Sequence, residues 1–581
     1  MRYIERSGSG VIGYINSNTW LDRPTFRGVR TSLFDSFPIL RIVDLHGNIG
    51  KREIAADGTH DEGVFAIEEG TNIIIACKKT ADLDIRQIDL LGKTDDGAGG
   101  GKFYWLSRSG LAQVNRRIHP LAPIFSLVPV KGSSESGNPV QSEFYRFDSI
   151  PSIYKVNSAG IVTSNDDLCV QFSFDEMAKI AESFLEMNLV PLLKEREEQG
   201  GAEKWKLEVE ANPVKVSLRK KKESRDWQAE YAQNDLRSQR SWKDCIVPID
   251  YRPFDRRFTI YTGNSRGFLC MPRPEVMKHL IKSGNMALVS ARSNQSASMD
   301  HFYCSEFIIE TKCGERTAQS TTFPLWLVPS AGEPHRRPNI DRAWAIGLGT
   351  VLGLKYEDGI PRGEQKSFGP DFQRQKAEQL GLLDTPWDGR GDLQATFGPR
   401  DLFDYIYAVL HSPGYRSRYA EFLKSDFPRI PTPATRTTFA ALAALGRQLV
   451  GLHLLRPEEA PILKSPDIQF RGSGEARVAK GYPEYQNGKV MINASRWFED
   501  VSKATWEFHV GGYQVCEKWL KDRAGKGGKN PGPGRVLTED DILHYRRVVV
   551  ALTETRRLMA EIDTEIERQG GWPGAFLTGG A

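Results

Sequence analysis

The sequence predicts an α/β fragment at its amino-terminal end, followed by a mixed α+β region that finishes in helices. Short apolar runs alternate with a helix-like segment over the first eighty or so residues, and beyond Phe403 apolar positions recur at helical spacing. At 581 residues, with 39% hydrophobic and 10% aromatic content, the chain exceeds what one compact core needs, so two to four packed units are expected.

Taken in order, Val11–Asn16 (VIGYIN) is a short apolar strand, Phe26–Phe37 is helix-like, Ile39–Leu45 (ILRIVDL) is a second strand and Thr71–Lys78 (TNIIIACK) a third. Strand, helix and strand joined by short turns is the grammar of a layered α/β sheet, but eighty residues are too few to make such a domain alone. A nucleotide-binding sheet usually carries a glycine-rich turn after its first strand, where backbone amides approach the ligand, and this opening has none. Asp95–Gly101 (DDGAGGG) and Lys131–Pro139 (KGSSESGNP) are loop punctuation, which puts the end of the α/β part near residue 95.

Within Phe174–Gln199, Met177, Ile180, Phe184, Met187, Leu189 and Leu193 form one apolar face of a predicted helix. The basic run Arg219–Lys222 (RKKK) that follows reads as a solvated surface. Glu333–Asn339 (EPHRRPN) reads as a linker and Lys521–Gly534 as a loop rich in glycine and lysine. Helices are expected at Phe403–His411, Arg418–Leu423, Thr438–Leu455 and Thr538–Gln569, with no internal repeat. The resulting division is 1–95, 96–335 and 336–581.

Bulk properties exclude several classes. No run of eighteen apolar residues suggests a membrane span, and Met1–Gly10 lacks the apolar stretch of a secretory signal, so a cytoplasmic protein is expected. Seven cysteines without a CxxC pair argue against a disulfide framework or a structural zinc site. A formal charge of +4 is too small for this length to imply nucleic-acid binding by itself. Local clustering has to carry that reading.

The most informative cluster is Asp250–Phe323. Tyr251, Arg252, Phe254, Arg256, Arg257, Phe258 and Tyr261 interleave cations with aromatics, and Arg273, Lys278, His279, Arg292, Asn294 and Gln295 follow. Arginine grips phosphates or reads guanine edges, Asn and Gln pair with adenine, and aromatic rings stack on bases. The competing reading makes YRPFDRRF a strand corner held by Arg–Asp pairs, with its aromatics in the core.

Asp300, His301, Glu306 and Glu310 offer metal-ligating groups but fit no standard spacing. Asp384–Trp387 (DTPW) resembles the Asp/Asn-Pro-Pro-aromatic loop that holds a target amine in amino-methyltransferases. Thr385 stands where the first proline belongs and no apolar strand precedes it, so a coincidental turn is the better reading. No GxxxxGK[ST] phosphate loop is present to support ATP-driven motion.

Six blocks together resemble the methyltransferase and specificity regions of type ISP restriction-modification enzymes, single chains that combine nuclease, helicase, adenine methyltransferase and target recognition. They are Gly10–Arg30 (GVIGYINSNTWLDRPTFRGVR), Val43–Asn48 (VDLHGN), Tyr251–Phe258 (YRPFDRRF), Phe403–Arg418 (FDYIYAVLHSPGYRSR), Gly511–Leu520 (GGYQVCEKWL) and Asp541–Tyr545 (DILHY). The resemblance implies that the first eighty or so residues are the last strands of a Rossmann-like, S-adenosylmethionine-dependent methyltransferase sheet, and that most of the remainder recognises the DNA target. It also implies that Phe65, in Asp61–Ile67 (DEGVFAI), offers its ring to a flipped adenine; the alternative is that Phe65 packs beneath the sheet.

The cofactor-binding turn and the target-amine loop of that family are missing here. The chain alone is therefore expected to bind no cofactor and to catalyse nothing, S-adenosylmethionine belonging to the complete methyltransferase. Three readings follow: a specificity module on double-stranded DNA, using Arg252, Arg256, Arg257, Arg273 and Arg292; part of an N6-adenine methyltransferase completed by an upstream methyltransferase or helicase-nuclease polypeptide; or an inactive remnant.

Overall fold

The structure is a computed structural model that describes residues 8–48, 55, 58–65, 67–97, 100–120, 125–128, 139–189, 214, 218, 227–281, 284–294, 299–315, 318–330, 336–359, 389–525 and 533–577. The chain divides into two compact units, Met1–Arg146 and Phe147–Ala581.

The first unit is built on β1 (Gly10–Ser17), α1 (Arg27–Ser36), β2 (Ile39–His46), β3 (Thr71–Lys78), β4 (Asp84–Asp89), α2 (Gly101–Arg108) and β5 (Arg116–Arg117). The strands form one sheet in the order β1-β3-β2-β4-β5. β2 and β4 run parallel, whereas β1–β3, β2–β3 and β4–β5 are antiparallel. β2 reads as a near-continuous apolar run because it is central and buried on both faces. Leu40 and Ile42 pack with Ile74, Ala76 and Ile85 against Trp20, Leu33 and Phe37 on the α1 side. Val43 and Leu45 face the other way, toward Leu90, Val114 and the α2 residues Trp105 and Leu106.

α2 and β5 carry the unit well past the expected boundary at 95. Lys102 is the reason: its buried ammonium pairs with Asp61 at 2.7 Å and donates to the carbonyls of Leu45 and Glu62. The contacts that close this unit therefore lie beyond the glycine-rich punctuation at Asp95–Gly101, and sequence offers no sign of them.

In the second unit, α3 (Phe174–Glu186) ends earlier than the apolar spacing suggests. Met187 is already extended. The remainder of that predicted helix, with Arg219–Lys222 and Asp384–Trp387, lies outside the described residues. The hairpin of β6 (Ile246–Arg252) and β7 (Asp255–Ile260) is joined in parallel by β8 (Ile308–Ile309). A second, antiparallel sheet places β9 (Ala287–Ala291) between β10 (Phe302–Ser305) and β11 (Ser320–Pro324), with Ser158–Ala159 beyond β11.

Of the segment expected as a linker at Glu333–Asn339, the structure describes 336–339. There Trp326–Leu327 pairs with Arg337–Pro338, and the buried Asn339 amide donates to Val156 and Pro324 carbonyls at 2.7 and 2.9 Å. These four residues are packed in by backbone pairing and a satisfied buried amide.

The helical part centres on α4 (Pro399–His411), α5 (Arg436–His453) and α6 (Glu539–Arg568). Every residue of α4 is buried, the pattern of a core helix. It lies so close to α5 that a Cβ at Gly446 would sit 1.8 Å from the Asp404 carbonyl oxygen. α6 starts at the Thr538–Asp541 capping box. Against this region, β12 (Gln469–Gly472), β13 (Glu484–Gln486), β14 (Lys489–Met491) and β15 (Arg496–Glu499) form an antiparallel sheet ordered β12-β15-β14-β13.

Candidate nucleic-acid interface

The β6–β7 corner holds most of the residues that sequence singled out. Phe254 adopts φ 61 there, a left-handed conformation unusual for a bulky residue. Its surroundings enforce it: the ring packs edge-on against Tyr303 and His453 at 5.4 and 5.7 Å, and the backbone carbonyl accepts from His544 Nε2 at 2.8 Å.

Two arginines of this corner, both expected at DNA, are held in buried ion pairs. Arg252 is 9% exposed, bonds Glu310 at 2.7 Å and stacks on Tyr251. Arg257 is 8% exposed and grips Asp255 through Nε and Nη2 at 3.0 and 2.6 Å, with Asp522 at 3.2 Å. Burial alone would raise the Asp255 carboxyl; Arg257 and Arg523 overcome it and hold the group at about 2. Arg257, Arg523 and Arg535 all lie over the Phe172 ring. Burying this many guanidiniums requires a carboxylate or ring for each, and the fold supplies them.

Arg256 alternates to the other side of β7 and is exposed. Its guanidinium lies 4.1 Å from the Phe307 ring centroid, at a cleft lined also by Asp250, Glu306, Leu455 and His544. Burial pushes the Asp250 carboxyl up to about 6, against the pull of Arg256. Arg292 is exposed, 3.7 Å from Asp426. Arg273, half-buried at φ 53, meets Met271 Sδ at 3.3 Å. Asn294, also expected at DNA, is 2% exposed, with its backbone N–H on Leu423. Gln295 lies outside the described residues. Arg256, Arg273 and Arg292 thus remain as candidates.

In the first unit, Phe65 is 40% exposed rather than tucked beneath the sheet. The loop that carries it is anchored by Asp61, whose carboxylate accepts from the Gly47 and Gly92 amides at 2.6 and 2.8 Å and pairs with Lys102. An exposed ring on a pinned loop can stack on a planar ligand without first paying to order itself.

Asp300, His301, Glu306 and Glu310 do not form a common metal site. Glu306 pairs with Arg456 and Glu310 with Arg252, while His301 Nε2 meets Ser320 Oγ at 2.9 Å. Sequence reasoning missed the cation-bearing sheet face, where Lys489 lies 4.8 Å from the Trp497 ring centroid and Arg471 lies 3.7 Å from Glu499. Only the cross-strand register brings these residues together. It also missed the buried His453, which contacts Tyr407 Oη at 2.5 Å and Thr555 Oγ1 at 2.8 Å.

Over residues 152–561 the chain matches the family described as the type ISP C-terminal specificity domain. No curated protein sequence matches it. Among solved structures it is similar to the cryo-EM DrdV–DNA complex, with 19% identity, TM-score 0.58, and coverage of 95% of this chain and 50% of that one. The ATP-dependent type ISP restriction-modification enzyme LlaBIII bound to DNA is similar at 17% identity and TM-score 0.56, covering 96% of this chain and 33% of that one. A nuclease-deletion mutant of the type ISP enzyme LlaGI with a DNA substrate mimic gives 18% identity and TM-score 0.55, with 95% and 39% coverage. The chain therefore spans half or less of the length of each of these structures.

Proposed function

The chain belongs to the type ISP C-terminal specificity domain family, and from that premise we propose that it recognises a DNA sequence as the specificity part of a restriction-modification enzyme. The family match across most of the second unit carries this reading. The fold likeness to three structures described with DNA or a DNA mimic supports it.

In this reading double-stranded DNA is the partner, positioned by cations on its phosphates and read by a few side chains in the groove. Of the five arginines, Arg256 and Arg292 are exposed and Arg273 is half-buried, so these three keep solvent access. Among the described residues, no helix is long and apolar enough to cross a membrane.

The reading of the first unit goes further. We propose that it is the closing part of an adenine methyltransferase sheet, that Phe65 stacks on an extruded base, and that the missing motifs come from an upstream methyltransferase or helicase-nuclease polypeptide. The exposed, anchored Phe65 ring is the observation that favours this. S-adenosylmethionine would serve the complete enzyme, its cradle belonging to the missing motifs. No methyl-transfer step is assigned to this chain.

The test is selection from a pool of random duplexes by the purified chain, followed by sequencing of the bound fraction. One enriched short motif is the expected result; recovery of the pool unchanged would contradict sequence recognition.

A further inference from the structure

The DNA reading leaves the block Val43–Asn48 (VDLHGN) without a task. Asp44 lies beside Asp89 in the parallel β2–β4 register and beside Asn72 in the β2–β3 register, and Asn72 pairs in turn with Asn16 of β1. A row of polar side chains therefore crosses the sheet at the carboxyl-terminal ends of β2 and β4. That is the end of an α/β sheet at which ligands usually bind.

His46 follows a register irregularity in β2, and its φ of 52 turns it back onto this row. Its Nε2 lies 3.2 Å from Asp89 Oδ1 and 4.0 Å from Asp44 Oδ2. One ligand atom from each of the three residues falls within 4.8 Å of the others. Ligands 2.0 to 2.1 Å from a tetrahedral centre stand roughly 3.3 Å apart; the His46–Asp89 distance already matches this, and Asp44 has to draw in to complete the shell.

A second observation concerns Gln87, which is wholly buried on the same strand as Asp89. Its Nε2 donates to Asp89 Oδ1 at 3.1 Å, while Oε1 finds no donor among the described residues. The Gln87 amide thus fixes the Asp89 carboxylate from inside the sheet while its own oxygen is left without a donor among the described residues. The local charge points the same way. Asp44 is 3% exposed, and among the described residues its ion-pair partner is His46 alone; Arg116 reaches only Asp89, at 2.6 Å.

We propose that Asp44, His46 and Asp89 bind one divalent transition-metal ion, with the buried Gln87 amide orienting Asp89 from behind. Imidazole and carboxylate together suit the Mn²⁺ to Zn²⁺ class, whereas Ca²⁺ takes six to eight oxygens. The ion ties the ends of β2 and β4 together beside Gly47, whose amide holds the Asp61 loop and hence Phe65. This inference does not depend on DNA recognition.

The full chain, freed of metal by chelation, is dialysed against MnCl₂ or ZnCl₂ and the bound metal counted. About one equivalent should bind, the Tm should rise with metal concentration, and His46→Asn should weaken binding by about a hundredfold, since Asn tolerates a left-handed backbone. Asp89→Asn serves as the second variant. Pulsed EPR of Mn²⁺ on the unmodified chain should show coupling to an imidazole nitrogen, a result that needs no variant to fold. Substoichiometric binding, a Mn²⁺ spectrum without nitrogen coupling, or unchanged affinity in the folded variants would overturn the proposal.

Discussion

Arg252 and Arg256 stand four residues apart in one hairpin and have opposite fates. Arg252 neutralises Glu310 in the interior, so Arg252→Ala leaves a buried carboxylate unpaired and should cost about 3 to 5 kcal/mol in denaturant unfolding. Arg256→Ala removes an exposed cation; stability should stay within about 1 kcal/mol, while the log–log salt slope of DNA binding falls by about one. If Arg256→Ala instead left the salt slope untouched, Arg256 would be excluded as a phosphate contact. Sequence could not separate the two residues. Strand alternation shows that Arg252 and Arg256 differ in environment from their neighbours, but not that a carboxylate 58 residues away lies beside Arg252.

Buried histidines set the acid limit. Burial holds His453 at about 3 and His544 at about 4, both below the ordinary 6.5. The unfolded chain then binds more protons than the folded one below about pH 6.5, so stability falls as pH drops, until the folded values are reached. Each histidine contributes a slope of about 1.4 kcal/mol per pH unit across that window. Asp250 and Asp401, both pushed up to about 6, act the opposite way and offset two histidines' share between about 6 and 4, while His279, held at about 4, and His411, held well below 6.5, add to the decline. Urea midpoints measured from pH 7 to pH 4 should decline. A flat profile would mean that the histidines are not buried as described.

At the scale of elements, the tightest constraint is the α4–α5 contact. Gly446→Ala puts a methyl where the Asp404 carbonyl sits, and overpacking of this kind should cost about 1 to 3 kcal/mol or more, read as a lowered denaturation midpoint. Thr538→Ala removes the cap of α6 and should cost about 1 kcal/mol by the same measurement.

Elements were more legible than their partners. β3 begins and ends where the apolar run Thr71–Lys78 does, and α6 covers nearly the whole of the helix expected at Thr538–Gln569, because apolar period is local. The order β1-β3-β2-β4-β5 was not legible, since pairing across the Asp44–Asn72 and Asp44–Asp89 registers depends on contacts remote in sequence. The same holds for the site. YRPFDRRF drew attention as a cation–aromatic block, yet most of that signal came from the packing of a corner, in which Tyr251, Arg252 and Arg257 stack on one another. Asp44 and His46 were quoted only as part of a family block, because Asp89, which completes their cluster, comes from another strand.

For the whole molecule, the two units correspond to two parts of the proposal. Phe147–Ala581 contains the whole region matched to the specificity-domain family, and Met1–Arg146 carries the sheet with the exposed Phe65. Specificity is a ratio of affinities, so recognition by the chain is most directly tested by competition at one fixed, near-physiological salt concentration. A duplex bearing the selected motif is displaced by a scrambled duplex of equal length and composition. The account predicts at least about a thousandfold preference for the motif, the lower end of what specific DNA-binding proteins show. Equal displacement by both duplexes would contradict it.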